Sequence, residues 1–121
     1  MNQRQSLEAS CLFCRIIRKE IPSEVVFESE QVLAFKDVHP QAPSHILLVP
    51  KRHIVNISRI TQAQTEVITS LFLSANQIAD QLKITASGFR LVVNCNQNGG
   101  QTVDHLHVHL LGGRPMTWPP G

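Results

Sequence analysis

An α+β fold is predicted, with an antiparallel sheet of about five strands, one long helix and one short one. Two observations carry that prediction. Short apolar runs are set off by prolines and polar turns, and a single longer segment repeats its apolar residues at helical spacing. The chain has 121 residues, 42% of them hydrophobic, which is material for one core rather than two.

Taken in order, Leu12, Phe13, Ile16 and Ile17 recur at helical spacing in a segment that has to end by Ile21-Pro22. Val25-Val26-Phe27 and Val32-Leu33-Ala34-Phe35 flank a polar turn and read as a hairpin, and Ile46-Leu47-Leu48-Val49 reads as a buried strand stopped by Pro50. The long helix starts near Thr61, where Thr61 and Gln64 have capping-box spacing, and runs to about Leu82 or Lys83. Its stripe of Val67, Ile68, Leu71, Phe72, Ala75, Ile78, Ala79 and Leu82 is core, not a cofactor box. Phe89–Asn94 and His105–Leu111 complete the sheet, with the helices expected against one face. Residues 1–10 form a polar tail, 11–113 the domain and 114–121 a C-terminal tail, with no internal repeat or linker.

The most informative stretch is His105-Leu106-His107-Val108-His109-Leu110-Leu111-Gly112-Gly113. Alternation with period two places three imidazoles on one face and Leu106, Val108 and Leu110 on the other. An ordinary exposed face mixes Thr, Lys, Glu and Ser, so the repeated histidine points to chemistry. Histidine titrates nearest neutrality and offers a neutral nucleophile, a proton donor or a metal ligand. Upstream, Asn94-Cys95-Asn96-Gln97-Asn98-Gly99-Gly100-Gln101-Thr102 is a polar loop whose Gly pair permits positive φ and close backbone approach. Successive N–H groups in such a turn form an anion-binding concavity, to which Gln101 and Thr102 add donors.

Composition narrows the class. A net charge of +2 with dispersed Lys and Arg excludes nucleic-acid binding through a basic face. No apolar run approaches the ~20 residues of a membrane span and Met1–Ser10 has no signal-peptide core, so no membrane association is expected and the location is cytoplasmic. Three cysteines, an odd number, fit reduced thiols better than a disulfide scaffold.

The His-x-His-x-His run resembles the histidine triad (HIT) superfamily of nucleotide hydrolases and transferases. The likeness to its Hint branch extends over Phe13–Pro22, Ala34–His45, Gly99–Thr102, Leu111–Arg114 and the ending Trp118-Pro119-Pro120-Gly121. The resemblance implies a purine nucleoside phosphoramidase that cleaves the P–N bond of AMP- or GMP-type phosphoramidates through a covalent nucleotidyl-histidine. His107 is the implied nucleophile, and its other ring nitrogen has to be held by an acceptor such as a backbone carbonyl of the same strand. His109 is implied to donate to a non-bridging phosphate oxygen and His45 to assist the same phosphate, against a plain reading of His45 as a solvated loop histidine. Thr102, where the family usually has Ser, acts with Gln101 and the amides of the Gly100–Thr102 turn on phosphate and leaving group, and Asn94 and Val103 flank them. Asp37 is placed to bind the ribose, or is a turn aspartate before His39-Pro40. Leu12, Phe13, Ile16, Phe35 and Val38 resemble the walls around the purine, though each also reads as core. Lys36 replaces a residue that is often His in animal members, which points to a different base or leaving-group preference.

Two rival functions stand beside this one. A dinucleoside polyphosphate hydrolase or nucleotidyl transferase of the superfamily is the first, although the transferases carry Gln where His109 stands here. The second is a nucleotide-binding or partner-binding module with incidental catalysis. Cys11-x-x-Cys14 supplies two thiolates, and zinc-containing branches add a His after the third strand and the first His of the triad, which map to His53 and His105. The zinc implied is structural and the chemistry requires no cofactor; a redox pair is the rival, but no thioredoxin-like βαβ pattern surrounds it. Cys95 has no partner in this scheme and reads as a buried strand-end thiol. Resemblance also implies a homodimer. The tail after Gly113 is too proline-rich to form its own element yet carries the only tryptophan, Trp118, which is expected to dock beside the partner's leaving group unless it packs on its own chain.

Overall fold

A computed structural model describes residues 8–121, so residues 1–7 of the expected N-terminal tail lie outside the described residues. Helix α1 (Leu12–Ile17) precedes β1 (Val25–Glu28), β2 (Val32–Lys36) and β3 (Ser44–Pro50). Two 3-10 turns, Ile57–Arg59 and Gln62–Gln64, lead into α2 (Thr65–Gln81), and β4 (Phe89–Val92), α3 (Asn96–Gly99) and β5 (Val108–Gly112) follow. Every pairing is antiparallel, in the order β1-β2-β3-β5-β4. The predicted five-stranded sheet with one long and one short helix is therefore present.

The helices cover opposite faces, which corrects the expectation that both lie on one. Val32, Ala34, Ile46 and Leu48 pack with Leu71, Ala75, Ile78 and Ala79 of α2. Leu33, Phe35, Leu47 and Val49 point the other way, onto Phe13, Cys14 and Ile16 of α1. The cause is already visible in β2 and β3, whose continuous apolar runs lack polar alternation, so each side needs its own cover.

Strand β5 begins at Val108, three residues later than the alternation predicts. Pro50 ends β3 without an N–H to extend the ladder. Its carbonyl accepts instead from the His105 imidazole at 2.9 Å, and Leu106 N–H donates to Ile54. Residues 105–107 keep the predicted alternation all the same. Leu106, Val108 and Leu110 join the α2 core, and His105 and His107 are buried on the α1 side.

The capping box at Thr61 and Gln64 forms as predicted, but it caps the 3-10 turn, and the α-helix proper starts at Thr65. Phe72, assigned to the apolar stripe, is 41% exposed. It stands ~100° around the helix from buried Leu71 and so leaves the sheet-facing side. No helix among the described residues is long and apolar enough to cross a membrane.

Candidate functional site

Register across the sheet lines up His109 with Leu47 and Leu47 with Phe35, all on the α1 face. Over this row α1 lays Leu12, Phe13 and Ile16, and the space between is a cavity of ≈ 520 Å³. The β2–β3 connection adds Lys36, Asp37 and Val38, and the chain before β5 adds Thr102, Val103 and His107. Eleven of the residues predicted from the sequence thus meet in one pocket. Sequence reasoning missed Ile21, Pro22, Ser23, Glu24, His39 and Leu47, which also line it. Leu47 was legible only as strand, because a two-sided apolar run does not say which side carries a ligand. His39 had a signal, being two residues after Asp37 in the same polar turn.

In the neutral rings of His107, His45 and His109, hydrogen bonds fix which nitrogen carries the proton. His107 Nδ1 lies 2.7 Å from the His105 carbonyl, which can only accept, so Nδ1 bears the proton and Nε2 keeps its lone pair. Phe13 stands edge-on to the same ring, with centroids 5.1 Å apart. His45 is ordered the other way. Gln41 N–H donates to His45 Nδ1 at 3.0 Å, which puts the His45 proton on Nε2, 3.0 Å from His109 Nδ1. His109 therefore accepts through Nδ1 and retains a proton on Nε2. Burial, with the neighbouring His107 and His45 adding to it, depresses the His109 pKa to about 4, so the ring is neutral at neutral pH. Burial also lowers His45, against the opposing charge of Asp37.

Asp37 is a turn aspartate that also lines the cavity. Its Oδ1 accepts from His39 N–H at 2.8 Å, closing a turn, while Oδ2 lies 3.4 Å from His45 Nε2. His45 itself is buried behind His109 and does not line the cavity.

The glycine loop differs from expectation. Gly100 takes a left-handed φ of 79°, as a tight turn requires. Yet its N–H donates to Gln97 and that of Gln101 to Asn96, so neither amide is open to a phosphate. Both Nε2 hydrogens of Gln101 are committed, to the Val55 and Val103 carbonyls, and its Oε1 accepts from Asn96 N–H. Gln101 stitches the loop together. Asn94, Gly100 and Gln101 stay outside the cavity, and of the loop's polar side chains only that of Thr102 lines it. Trp118 also lies elsewhere and is 83% exposed, while Arg90 and Arg114 tie the tail down through the Thr117 and Gln41 carbonyls. Cys95 is half-buried beyond the end of β4 rather than within a strand end.

Behind α1 a second cluster gathers Cys11, Cys14, His53 and His105, whose ligand atoms all lie within 4.8 Å of one another. Cys11 sits at the N-cap of α1 and accepts from Cys14 N–H, which folds the two sulfurs onto one side. His105 donates from Nε2 to Pro50, leaving the Nδ1 lone pair 3.4 Å from Cys11 Sγ and 3.6 Å from Cys14 Sγ. His53 Nδ1 is 3.2 Å from Cys14 Sγ. Two thiols and two imidazoles are a tetrahedral donor set for a soft or borderline divalent ion, and the carbonyl on the far nitrogen of His105 is the outer-shell partner such ligands have. Burial first, and Cys11 beside it, push the Cys14 thiol up to about 12. Without an ion the thiol keeps its proton, and an ion must displace it.

The HIT domain matches residues 18–116 of this chain. The 14 kDa zinc-binding protein of Zea mays is 45% identical over 94% of this chain and 90% of its own length. Adenylylsulfatase HINT1 of Arabidopsis thaliana is 46% identical over 94% of this chain and 78% of that protein. Among solved structures, a HIT family hydrolase from Legionella pneumophila superposes with a TM-score of 0.91 at 48% identity, over 93% of this chain and 100% of that one.

Proposed function

The chain belongs to the HIT domain family, and from that premise we propose that it hydrolyses purine nucleoside 5′-phosphoramidates through a nucleotidyl-His107 intermediate. The observation that carries this reading is the bond from His107 Nδ1–H to the His105 carbonyl, which leaves Nε2 unprotonated at an otherwise largely apolar pocket. Nε2 attacks the α-phosphorus and the P–N bond breaks, the departing nitrogen taking a proton at the Thr102 hydroxyl. Water then attacks phosphorus and returns a proton to the Thr102 oxygen, the Nε2–P bond breaks with its electron pair going back to Nε2, and the nucleoside monophosphate leaves. His109 Nε2–H donates to a non-bridging oxygen where charge develops. Asp37 accepts from the ribose hydroxyls with the lone pairs its turn leaves over, and Phe13, Ile16, Phe35 and Val38 enclose the base.

The name of the Arabidopsis relative favours one second reading, in which sulfate rather than an amine leaves an adenylyl group. Both readings share the intermediate and differ at the leaving group.

The same proposal includes a structural zinc on Cys11, Cys14, His53 and His105, in keeping with the maize relative. When bound, the ion supplies a cross-link between α1 and the chain before β5; a closed four-ligand site leaves no place for an activated water. A cytoplasmic location keeps such thiols reduced. The active unit is proposed to be a homodimer of domains spanning residues 11–113, with tail 114–121 reaching the partner's site; exposed Trp118 supports this. Turnover of adenosine 5′-phosphoramidates, adenylyl sulfate and diadenosine triphosphate should be compared with and without chelator, with rapid quench and mass analysis for the adduct. Fastest kcat/KM on the phosphoramidates and a nucleotide on His107 are expected. Turnover with no protein-bound nucleotide at any time overturns the reading.

A further inference from the structure

Residues 105–107 precede the β5 ladder, so sheet pairing does not fix the carbonyl on which the His107 tautomer depends. That carbonyl shares its peptide plane with the Leu106 N–H bonded to Ile54, and its residue is further anchored by the His105 side chain, bonded through Nε2 to Pro50 and facing both cysteines through Nδ1. The same cluster acts on His107 from the other side. Phe13 lies between Cys11 and Cys14 in α1, is 4% exposed, and meets the rings of His107 at 5.1 Å and His105 at 5.9 Å. The nucleophile's ring is thus clamped between a carbonyl and a phenyl edge, and both are carried by ligand residues or by the turn joining them.

We infer that His105 and Phe13 are positioning residues for His107, and that an ion on Cys11, Cys14, His53 and His105 tightens the clamp without entering the reaction. This rests on His107 being the nucleophile. A site held by packing and outer hydrogen bonds loses rate when those supports loosen, and a displacement of ~1 Å lowers rate by up to about a hundredfold. The ion therefore acts on the rate of nucleotidyl transfer to His107 and leaves the nucleotide's affinity nearly alone.

The test compares the purified protein as isolated, after stripping with chelator, and after reloading with Zn²⁺, Cd²⁺ or Co²⁺. Stripping is expected to slow formation of the nucleotidyl adduct by about tenfold or more, with AMP affinity changed less than about twofold, and all three ions should restore the same rate. Nitrogen-15 shifts of the His107 ring, recorded without substrate, should show a single Nδ1–H tautomer when loaded and a mixture when stripped. Phe13→Leu in the loaded protein, which keeps an apolar wall and removes the ring edge, should lower kcat by about tenfold in addition to any rise in KM from the altered base wall; this arm stands even if the stripped protein unfolds. Equal adduct rates with and without ion, rates that differ from ion to ion, a protein that binds no ion, or a Phe13→Leu effect confined to KM would each overturn the inference. An adduct that never forms in any state overturns the His107 reading instead.

Discussion

Among the described residues, two groups of side chains bring imidazoles within ligand distance of one another. Cys11, Cys14, His53 and His105 form one, and Asp37, His45 and His109 the other. Hydrogen bonds on the far side of the rings make them chemically different. His105 donates a hydrogen bond to a carbonyl and turns a lone pair to the sulfurs. His45 accepts a hydrogen bond from a backbone amide, so its other nitrogen presents N–H to His109 rather than a lone pair to an ion. The first group is prepared for a cation, the second to pass order from Gln41 to the Nε2–H of His109. A carbonyl or an amide behind the ring decides between metal ligand and proton donor.

His107 stands where the two groups meet, so its loss gives the largest expected effect. His107→Ala should reduce turnover by several orders of magnitude while AMP still binds, as calorimetry beside steady-state kinetics will show. Retention of more than about a tenth of the rate breaks the covalent route. His109→Ala removes one donor and should cost about 10²- to 10³-fold in kcat. An effect as large as that of His107→Ala would erase the distinction between nucleophile and donor.

The comparison also fixes a stoichiometry. Elemental analysis should find about one zinc per chain, with no second equivalent on Asp37, His45 and His109 at modest excess. Removing it should lower the melting temperature by roughly 10 °C, the scale expected when an ion far above its Kd leaves a domain of this size. Two zincs per chain would show that the Gln41 amide does not exclude an ion.

A smaller effect is expected from pH. The His109 pKa falls from 6.5 to about 4 on folding, so the unfolded chain binds a proton that the folded one refuses. The contribution of His109 to stability is complete above about pH 6.5 and is lost as pH drops toward 4. Denaturant midpoints for the wild type and His109→Gln should converge across that window; parallel curves would place the acid sensitivity elsewhere. Smallest of all, deleting Met116–Gly121 should alter selectivity among amine leaving groups more than the melting temperature, and sedimentation should give twice 13.5 kDa. A monomer, or unchanged selectivity, removes the tail from the site.

These contrasts explain what the sequence could and could not carry. Alternation of His105 to His109 with Leu106 to Leu110 assigned the faces correctly, because side-chain direction survives even where the ladder does not. The Cys11-x-x-Cys14 spacing marked two thiolates, and the family resemblance added His53 and His105, the four residues that meet behind α1. The hydrogen-bond partners were illegible, since Gln41, Pro50 and Val55 become partners only through the turns that bring them close. Gln101 shows the consequence: a donor-rich amide beside glycines reads as a phosphate ligand until two carbonyls claim its hydrogens. The sides taken by α1 and α2 were hidden for another reason, as an apolar run reads the same from both faces.

Strand β5 is the last in the chain yet sits inside the sheet, between β3 and β4. His45 and His109, 64 residues apart, touch only once that strand is seated. Closing a loop of that length costs on the order of 3–4 kcal/mol of chain entropy before any contact returns it. At ribosomal speeds of about 5–20 residues per second, β3 waits roughly 3–12 seconds for its inner partner. During that wait the nascent chain presents an unpaired apolar edge, the kind of surface holdase chaperones cover. The histidine pair at the centre of the proposed chemistry is thus among the last features to assemble as the protein is made.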